Sequence, residues 1–484
     1  MARCGFTPRA GLRPGAEPLV TRGIIGRACR SRMKPGTGRL WHGAAWCALT
    51  LATWLLMAGP VSARAATRAP ASWTTFLGST LRNPVVPASG GLAPTLAVTW
   101  RFPVAPAAAD SIVASPAVVG GVAYFGAMNH RVYALNVKTG REIWSFLADN
   151  QVMSQPVVVA GRVFFGSGNK RFIGHGALEI RGAGQNALYA LSARTGRLLW
   201  KFPVRGEAMP TPAYQDGVLY EATGGRTFYA LNAATGRPRW ILHEGAIVSM
   251  SSPAIAQGIA VFGGRDEGAP SFYGVNLRTH RLAWTTPFPA AWAGTDDLSP
   301  TASGGVVYVQ VPAGHDRITA EEVALEVRTG RELWQRVLGS GPADYHNGEE
   351  TGVASLVGGR LYLGSSMVPG VWALRAQTGR VLWHAPLPVA VRAAPAVRGP
   401  YVYVVSAGRL FALNRATGAV VGRLVVGYRP AEANARYVLI PCASPSPTLV
   451  GQTLLVAAGA QDVLEALPVR RLLDSGHRPV AARR

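Results

Sequence analysis

Cysteine is scarce in this chain of 484 residues, with four in all, at positions 4, 29, 47 and 442. Beyond residue 65 only Cys442 remains, so no intrachain disulfide framework is available there. No Cys/His or acidic spacing suited to a metal ion is present, and the residues call for no metal and no cofactor. Acid is the second shortage: 25 Asp and Glu stand against 49 Lys and Arg, a net charge of +24. Long apolar runs are the third. Residues 44 to 59 (AAWCALTLATWLLMAG) are apolar but too short to span a bilayer comfortably.

That run has a different use. It follows a basic stretch rich in Gly and Pro and precedes Val61-Ser62-Ala63-Arg64-Ala65, the small-x-small pattern of a signal peptidase site. Residues 1–65 therefore read as a basic leader and secretory signal peptide, with Met33 as an alternative start; an uncleaved anchor is the competing reading. No Cys closes the run in lipobox fashion. The expected location is periplasmic or extracellular. With the leader removed the charge is still about +15, which concentrates anions near the surface. Nucleic acid is a poor candidate, because the Arg residues come one per repeat rather than in a patch with interleaved aromatics. The expected partner is a small anionic substrate; peripheral association with the outer membrane and pairing into a homodimer are left open.

The rest of the chain is organised around one repeated stretch. Ala134 to Trp144 (ALNVKTGREIW) returns at Ala190–Trp200, Ala230–Trp240, Gly274–Trp284, Ala324–Trp334 and Ala373–Trp383, and in worn form at Ala412–Gly422. Each copy is an apolar strand, a Thr-Gly turn that asks Gly for positive φ, and a second strand bearing a large aromatic. A second signature precedes each copy: an X-Pro pair, an apolar strand, a Gly turn and another strand, as at Ser115-Pro116 and Gln155-Pro156. Four antiparallel strands per period of roughly 40 to 50 residues make a propeller blade.

The ends set the count. The last unit, from Ser446, stops near Leu467 without a Thr-Gly turn, while Ala97 to Val104 is an outer strand lacking a blade. The fold expected is all-β, an eight-bladed β-propeller of four-stranded antiparallel blades, with the N-terminal strand closing the ring and removing its free edges. The expected division is a leader at 1–65, an extension at 66–94, the propeller at 95–467 and a basic tail at 468–484.

Blade topology places the links between strands two and three, and from strand four to the next blade, on one face. Those links are long and irregular, and they carry most of the acids, as expected of a functional face. Asp296 and Asp297 adjoin an innermost strand and can reach the axial funnel. Neighbouring side chains diverge, so one should face the funnel while the other supports the loop. Asp297, two residues before Ser299, is the first choice of catalytic base, and a like-charged neighbour would raise the pKa of one of the two. Asp344 is the second choice, in a loop with His346, Glu349 and Glu350. Lys170, Arg171, Arg265 and His346 are candidate anion ligands, and Cys442 is a possible nucleophile. Each has a plainer alternative as loop cap, solvated surface or buried small side chain. The repeated Trp residues read as blade-packing core.

The A-L-N-x-x-T-G-R-x-x-W pattern resembles the repeat of the quinoprotein (pyrroloquinoline quinone-binding) propeller superfamily across residues 95 to 467. That resemblance implies the fold more than the function. Its dehydrogenases carry a vicinal Cys-Cys pair and a calcium-binding set; the former is absent here and the latter cannot be placed. Its outer-membrane assembly lipoproteins carry a lipobox that this chain lacks. Gly206–Pro212 (GEAMPTP), Ser249–Pro253 (SMSSP) and Ala291–Asp297 (AWAGTDD) look similar to the tetrathionate hydrolases of acidophilic sulfur-oxidising bacteria. That likeness implies a hydrolase splitting tetrathionate to thiosulfate, sulfur and sulfate, with a carboxylate activating water and basic residues holding the sulfonates. A non-catalytic scaffold and a quinone-dependent dehydrogenase are the alternatives.

Overall fold

The computed structural model describes residues 97–104, 112–292, 294–342, 353–365, 367–388, 390–406, 408–426, 445–458 and 462–475. Met33, the signal-peptide site, Asp344, His346 and Cys442 lie outside the described residues.

Eight four-stranded antiparallel sheets follow one another along the chain. Blade 1 consists of Ala117–Val119, Val122–Gly126, Arg131–Asn136 and Glu142–Leu147, from the inside outwards. Blades 2 to 7 repeat this order, starting at Val157, Ala213, Ala254, Thr301, Ser355 and Ala396. Between its second and third strands, blade 2 carries a small extra hairpin, Phe172–Ile173 paired with Ile180–Arg181. Blade 8 takes three strands from Thr448–Val450, Thr453–Ala458 and Val463–Pro468. Its fourth is Trp100–Pro103, with Trp100 opposite Ala466 and Pro103 opposite Val463. The N-terminal strand thus closes the ring, as the unpaired outer strand in the sequence required.

The repeated Trp joins one blade to the next. The Trp100 indole N–H donates to the Val137 carbonyl at 2.7 Å, Trp284 to Val327 at 2.8 Å and Trp334 to Ala376 at 2.9 Å. Each acceptor lies just before the Thr-Gly turn of the following blade. The turn glycine is needed twice over. Gly140 has φ +69° and Gly330 φ +70°, and a Cβ there would stand 2.6 Å and 2.4 Å from ring atoms of Trp100 and Trp284. Blade 4 departs from the pattern with His280 at φ +58°, and its ring stacks on Trp240 at 4.7 Å instead.

The worn copy has its own repair. Gly422 occupies the Trp position of blade 7, and blade 8 has no third-to-fourth turn for an indole to dock on, because its fourth strand arrives from the other end of the chain. A short helix, Val469–Asp474, fills the joint. The Leu472 carbonyl oxygen lies 2.3 Å from where a Gly422 Cβ would be, and Val469 and Leu472 are buried against Leu449, Leu454 and Leu467.

Removing residues 97–104 is expected to lower the melting temperature markedly, since it exposes the whole edge of Val463–Pro468; an unchanged melting temperature would refute closure by this strand. Trp284→Ala should cost about 3–5 kcal/mol in denaturant unfolding, the ordinary price of deleting a buried indole.

Candidate active site at the mouth of the propeller axis

The residues before each innermost strand converge on the axis. Those preceding the conserved-position prolines stitch blade to blade. Gln155 N donates to Thr211 Oγ1 at 3.0 Å, Thr211 N to Ser252 Oγ and Ser252 N to Ser299 Oγ at 2.9 Å, and Ser446 N to Ser115 Oγ at 2.8 Å. Two residues earlier in each blade a second set of side chains rings a cavity of about 90 Å³: Val113, Met153, Met209, Met250, Asp297 and Arg392 among them. Among the described residues, Asp297 and Arg392 are the ionisable ones of that lining.

Asp297 is held by a rigid turn. The Asp296 carbonyl accepts the N–H groups of Ser249, Met250 and Ser251 at 3.1, 3.0 and 2.9 Å. Thr295 Oγ1 donates towards the carbonyls of Gly264 and Ser271 at 2.7 and 2.9 Å. Both aspartates reach Arg181 Nη1; Asp297 also lines the axial cavity, and Asp296 Oδ2, 3.7 Å from Arg181 Nη1, lies 3.9 Å from Arg265 Nη2.

Arg181, on the inserted hairpin of blade 2, is the hub of this wall. Its Nε lies 3.1 Å from Glu207 Oε1 and its Nη1 3.6 Å from Asp297 Oδ1. Phe172, on the same hairpin, is flanked by the guanidiniums of Arg181 at 5.5 Å and Arg265 at 5.2 Å. Burial pushes the Glu207 carboxyl up to about 8, outweighing the pull of Arg181. Burial, reinforced by the neighbouring Asp297 charge, pushes Asp296 up to about 6 against Arg265 and Arg181. The wall therefore gains positive character in acid, as both carboxyls go neutral beside permanently cationic guanidiniums.

Of the residues singled out from sequence, Asp296, Asp297 and Arg265 meet here. Lys170 is half-buried and close enough to act on Glu207. Arg171 is exposed, and its peptide carbonyl accepts from Gly182 N at 2.8 Å. Sequence reading gave no role to Arg181, Glu207 or Arg392. Arg392 had a usable signal: it stands two residues before Ala394-Pro395, as Asp297 stands two before Ser299-Pro300. Arg181 had none, because only folding of the insertion brings it to the axis.

A family model described as outer membrane protein assembly factor BamB matches residues 175–309 and 319–468, more than half of the chain. A second, the β-propeller domain of glucose/ethanol/alcohol dehydrogenases, matches residues 93–209. The chain belongs to the PQQ-like β-propeller family. Within curated proteins it is 28% identical over 382 residues to tetrathionate hydrolase of Acidithiobacillus ferrooxidans, covering 74% of this chain and 72% of that one. It is 29% identical to tetrathionate hydrolase of Acidianus ambivalens over 42% of this chain and 40% of that one. With outer membrane protein assembly factor BamB of Yersinia pestis it shares 32% identity over 33% of this chain and 41% of that one. Among solved structures, BamB from Moraxella catarrhalis superimposes with a TM-score of 0.54 at 17% identity, covering 77% of this chain and all of that one. A europium-containing methanol dehydrogenase gives 0.53 at 13% identity, covering 73% and 91%. At these identities the structural likeness concerns the fold.

The quinone that names the family does not fit the residues present. With one cysteine beyond residue 65 no vicinal pair can cover the cofactor. Among the described residues, no three His, Cys, Asp or Glu side chains gather as a metal site.

The raised carboxyls set a pH dependence of stability. In the unfolded chain Glu207 and Asp296 titrate near 4, and in the fold at about 8 and about 6. Between those limits the folded state holds protons that the unfolded state has released, so stability is full below about pH 4 and falls as pH rises. The melting temperature is expected to drop by about 5 °C or more from pH 4 to pH 8. Glu207→Gln should flatten the slope above pH 6; an unaltered slope would place Glu207 outside this linkage.

Proposed function

We propose that this protein is an exported hydrolase of anionic sulfur–sulfur compounds, with tetrathionate as substrate. The observation that carries the reading is the axial cavity, where the carboxylate of Asp297 and the guanidinium of Arg392 share one small lining. The likeness to tetrathionate hydrolase over most of the chain supports it. Export is supported by the outer-membrane assembly factors among the relatives and by the leader.

Tetrathionate is a dianion with a sulfonate at each end of a short sulfur chain. In this reading Arg265, Lys170 and the acid-neutralised wall draw it to the loop face, and Arg392 holds one sulfonate in the cavity. Asp297 orients a water molecule and takes its proton, while Arg181 behind it fixes the carboxylate. Water oxygen bonds to a sulfonate sulfur, and the adjoining S–S bond breaks with its electron pair leaving on the S3O3 fragment. That fragment sheds one sulfur atom to become thiosulfate. One tetrathionate and one water thus yield sulfate, thiosulfate, sulfur and two protons, with atoms and charge balanced.

Thiosulfate release should be measurable when the protein is incubated with tetrathionate between pH 2 and 7. Asp297→Asn is expected to lose about 10²-fold or more in kcat with folding intact, and Asp296→Asn less. Arg392→Gln should act mainly on KM. If Asp297→Asn stays near wild type while Asp344→Asn or Cys442→Ser is dead, the chemistry belongs to those positions. Inactivity throughout, with co-purification of outer-membrane assembly proteins, would favour a scaffold.

Asp296 adds a pH signature. As it takes up a proton below about pH 6, one negative charge leaves the wall beside Arg181 and Arg265. KM for tetrathionate should therefore fall as the pH drops from 7 to 4, and Asp296→Asn should remove most of that dependence. A wild-type KM independent of pH would separate this wall from substrate binding.

A further inference from the structure

Blade 6 differs from four of its companions, blades 1, 3, 4 and 7. At the turn after the third strand, Asn136, Asn232, Asn276 and Asn414 each accept two backbone N–H groups on Oδ1, at 2.9 to 3.2 Å. These side-chain caps tie the turn together. In blade 6 the same position holds Arg375, which has donors only and cannot cap. Directly opposite Arg375 in the antiparallel pair stands Arg360. Blades 1, 3 and 4 place Val122, Val218 and Ile259 there. Like charges directly opposite each other in a sheet repel. Both arginines are exposed, and among the described residues neither forms an ion pair. Blades 2 and 5 also lack the Asn, with Ser192 and Glu326 in its place, but only blade 6 sets two arginines opposite each other; a repulsion with no local gain marks a functional position.

The two arginines flank a cleft of about 670 Å³ between blades 5 and 6, floored by Val306, Tyr308, Leu356 and Leu382. Its size suits a bound ligand, and its lining combines a pair of cations with an aliphatic floor. The cleft opens on the face opposite the axial site, where the short hairpin turns lie. That face is basic in blade after blade: Lys138 and Arg141, Arg194 and Arg197, and Arg328 and Arg331 are all exposed there.

We propose that this arginine face docks on an anionic membrane surface, with one lipid phosphate seated between Arg360 and Arg375 and the start of its acyl chain on the cleft floor. Guanidinium forks match phosphate oxygens bidentately. The surrounding turns add long-range attraction for anionic headgroups, weakened by salt. Docked this way, the axial mouth faces away from the membrane and stays open to small anions.

The test uses residues 66–484, which hold all eight blades and lack the apolar leader. Co-sedimentation is measured with phosphatidylcholine vesicles with and without phosphatidylglycerol. Binding should require phosphatidylglycerol, fall with added salt, and weaken about tenfold or more in the Arg360→Gln/Arg375→Asn double variant, with the activity of the axial site unchanged. Arg375→Asn alone should raise the melting temperature by restoring the cap and relieving the repulsion. Failure of the wild type to bind these vesicles, or equal binding by the double variant, would overturn the proposal. So would inorganic phosphate that abolishes vesicle binding at concentrations where the same ionic strength of chloride does not, which would make the cleft a small-anion site. A lower melting temperature for Arg375→Asn would instead make the arginine pair structural, and would also overturn it.

Discussion

Everything in this ring depends on an indole reaching under the next blade's turn. The contact joins sheets that share no backbone ladder, and six of the eight joints combine an indole N–H bond with a flat ring surface. It also explains the Thr-Gly sequence better than the hairpin alone does. At Gly140 and Gly330 a side chain is barred both by positive φ and by the ring of Trp100 or Trp284. Where the chain cannot offer the pair, at the joint of blades 7 and 8, the helix Val469–Asp474 takes over the packing. The substitution follows from closure: a blade whose outer strand comes from the far end of the chain has no turn to present.

A ring locked in this way leaves its axis free to vary. Among the described residues the polar stitch from Gln155 through Thr211, Ser252 and Ser299 repeats from blade to blade. Side chains break the symmetry at Asp297 and Arg392, which occupy positions that blades 1 to 4 give to Val or Met. The carboxyls behind them are buried at a cost, and that cost is smallest when they are protonated. Glu207 and Asp296 thus link the site to acid conditions through stability and through charge in the same pH range. The arginine cleft on the other face is a second break in the symmetry, marked by two arginines set directly opposite each other.

The fold was legible in the sequence almost entirely. A repeat states its own structure several times, so the strand order, the Gly turns, the Trp packing and the N-terminal closing strand could all be read from the agreement of copies. The blade 7 to 8 helix was not read, because six residues at the start of a basic segment carry no periodic signal. The site was legible by half. Asp296 and Asp297 stand out through their place beside Ser299-Pro300, but their shared contact with Arg181 Nη1 could not be read from the alternation of neighbouring side chains.

By itself, then, the sequence determined a closed eight-bladed ring and the face on which irregular loops gather, since both follow from local periodicity and the parity of strand connections. Only the tertiary structure decided which ionisable side chains share a site. Arg181, Glu207 and Asp296 come from three different loops and meet because blades 2, 3 and 4 are wedged side by side by the indole contacts. Their protonation is a property of that meeting: a carboxyl's pKa follows its burial and its neighbours' charges, and neither exists until the ring has closed.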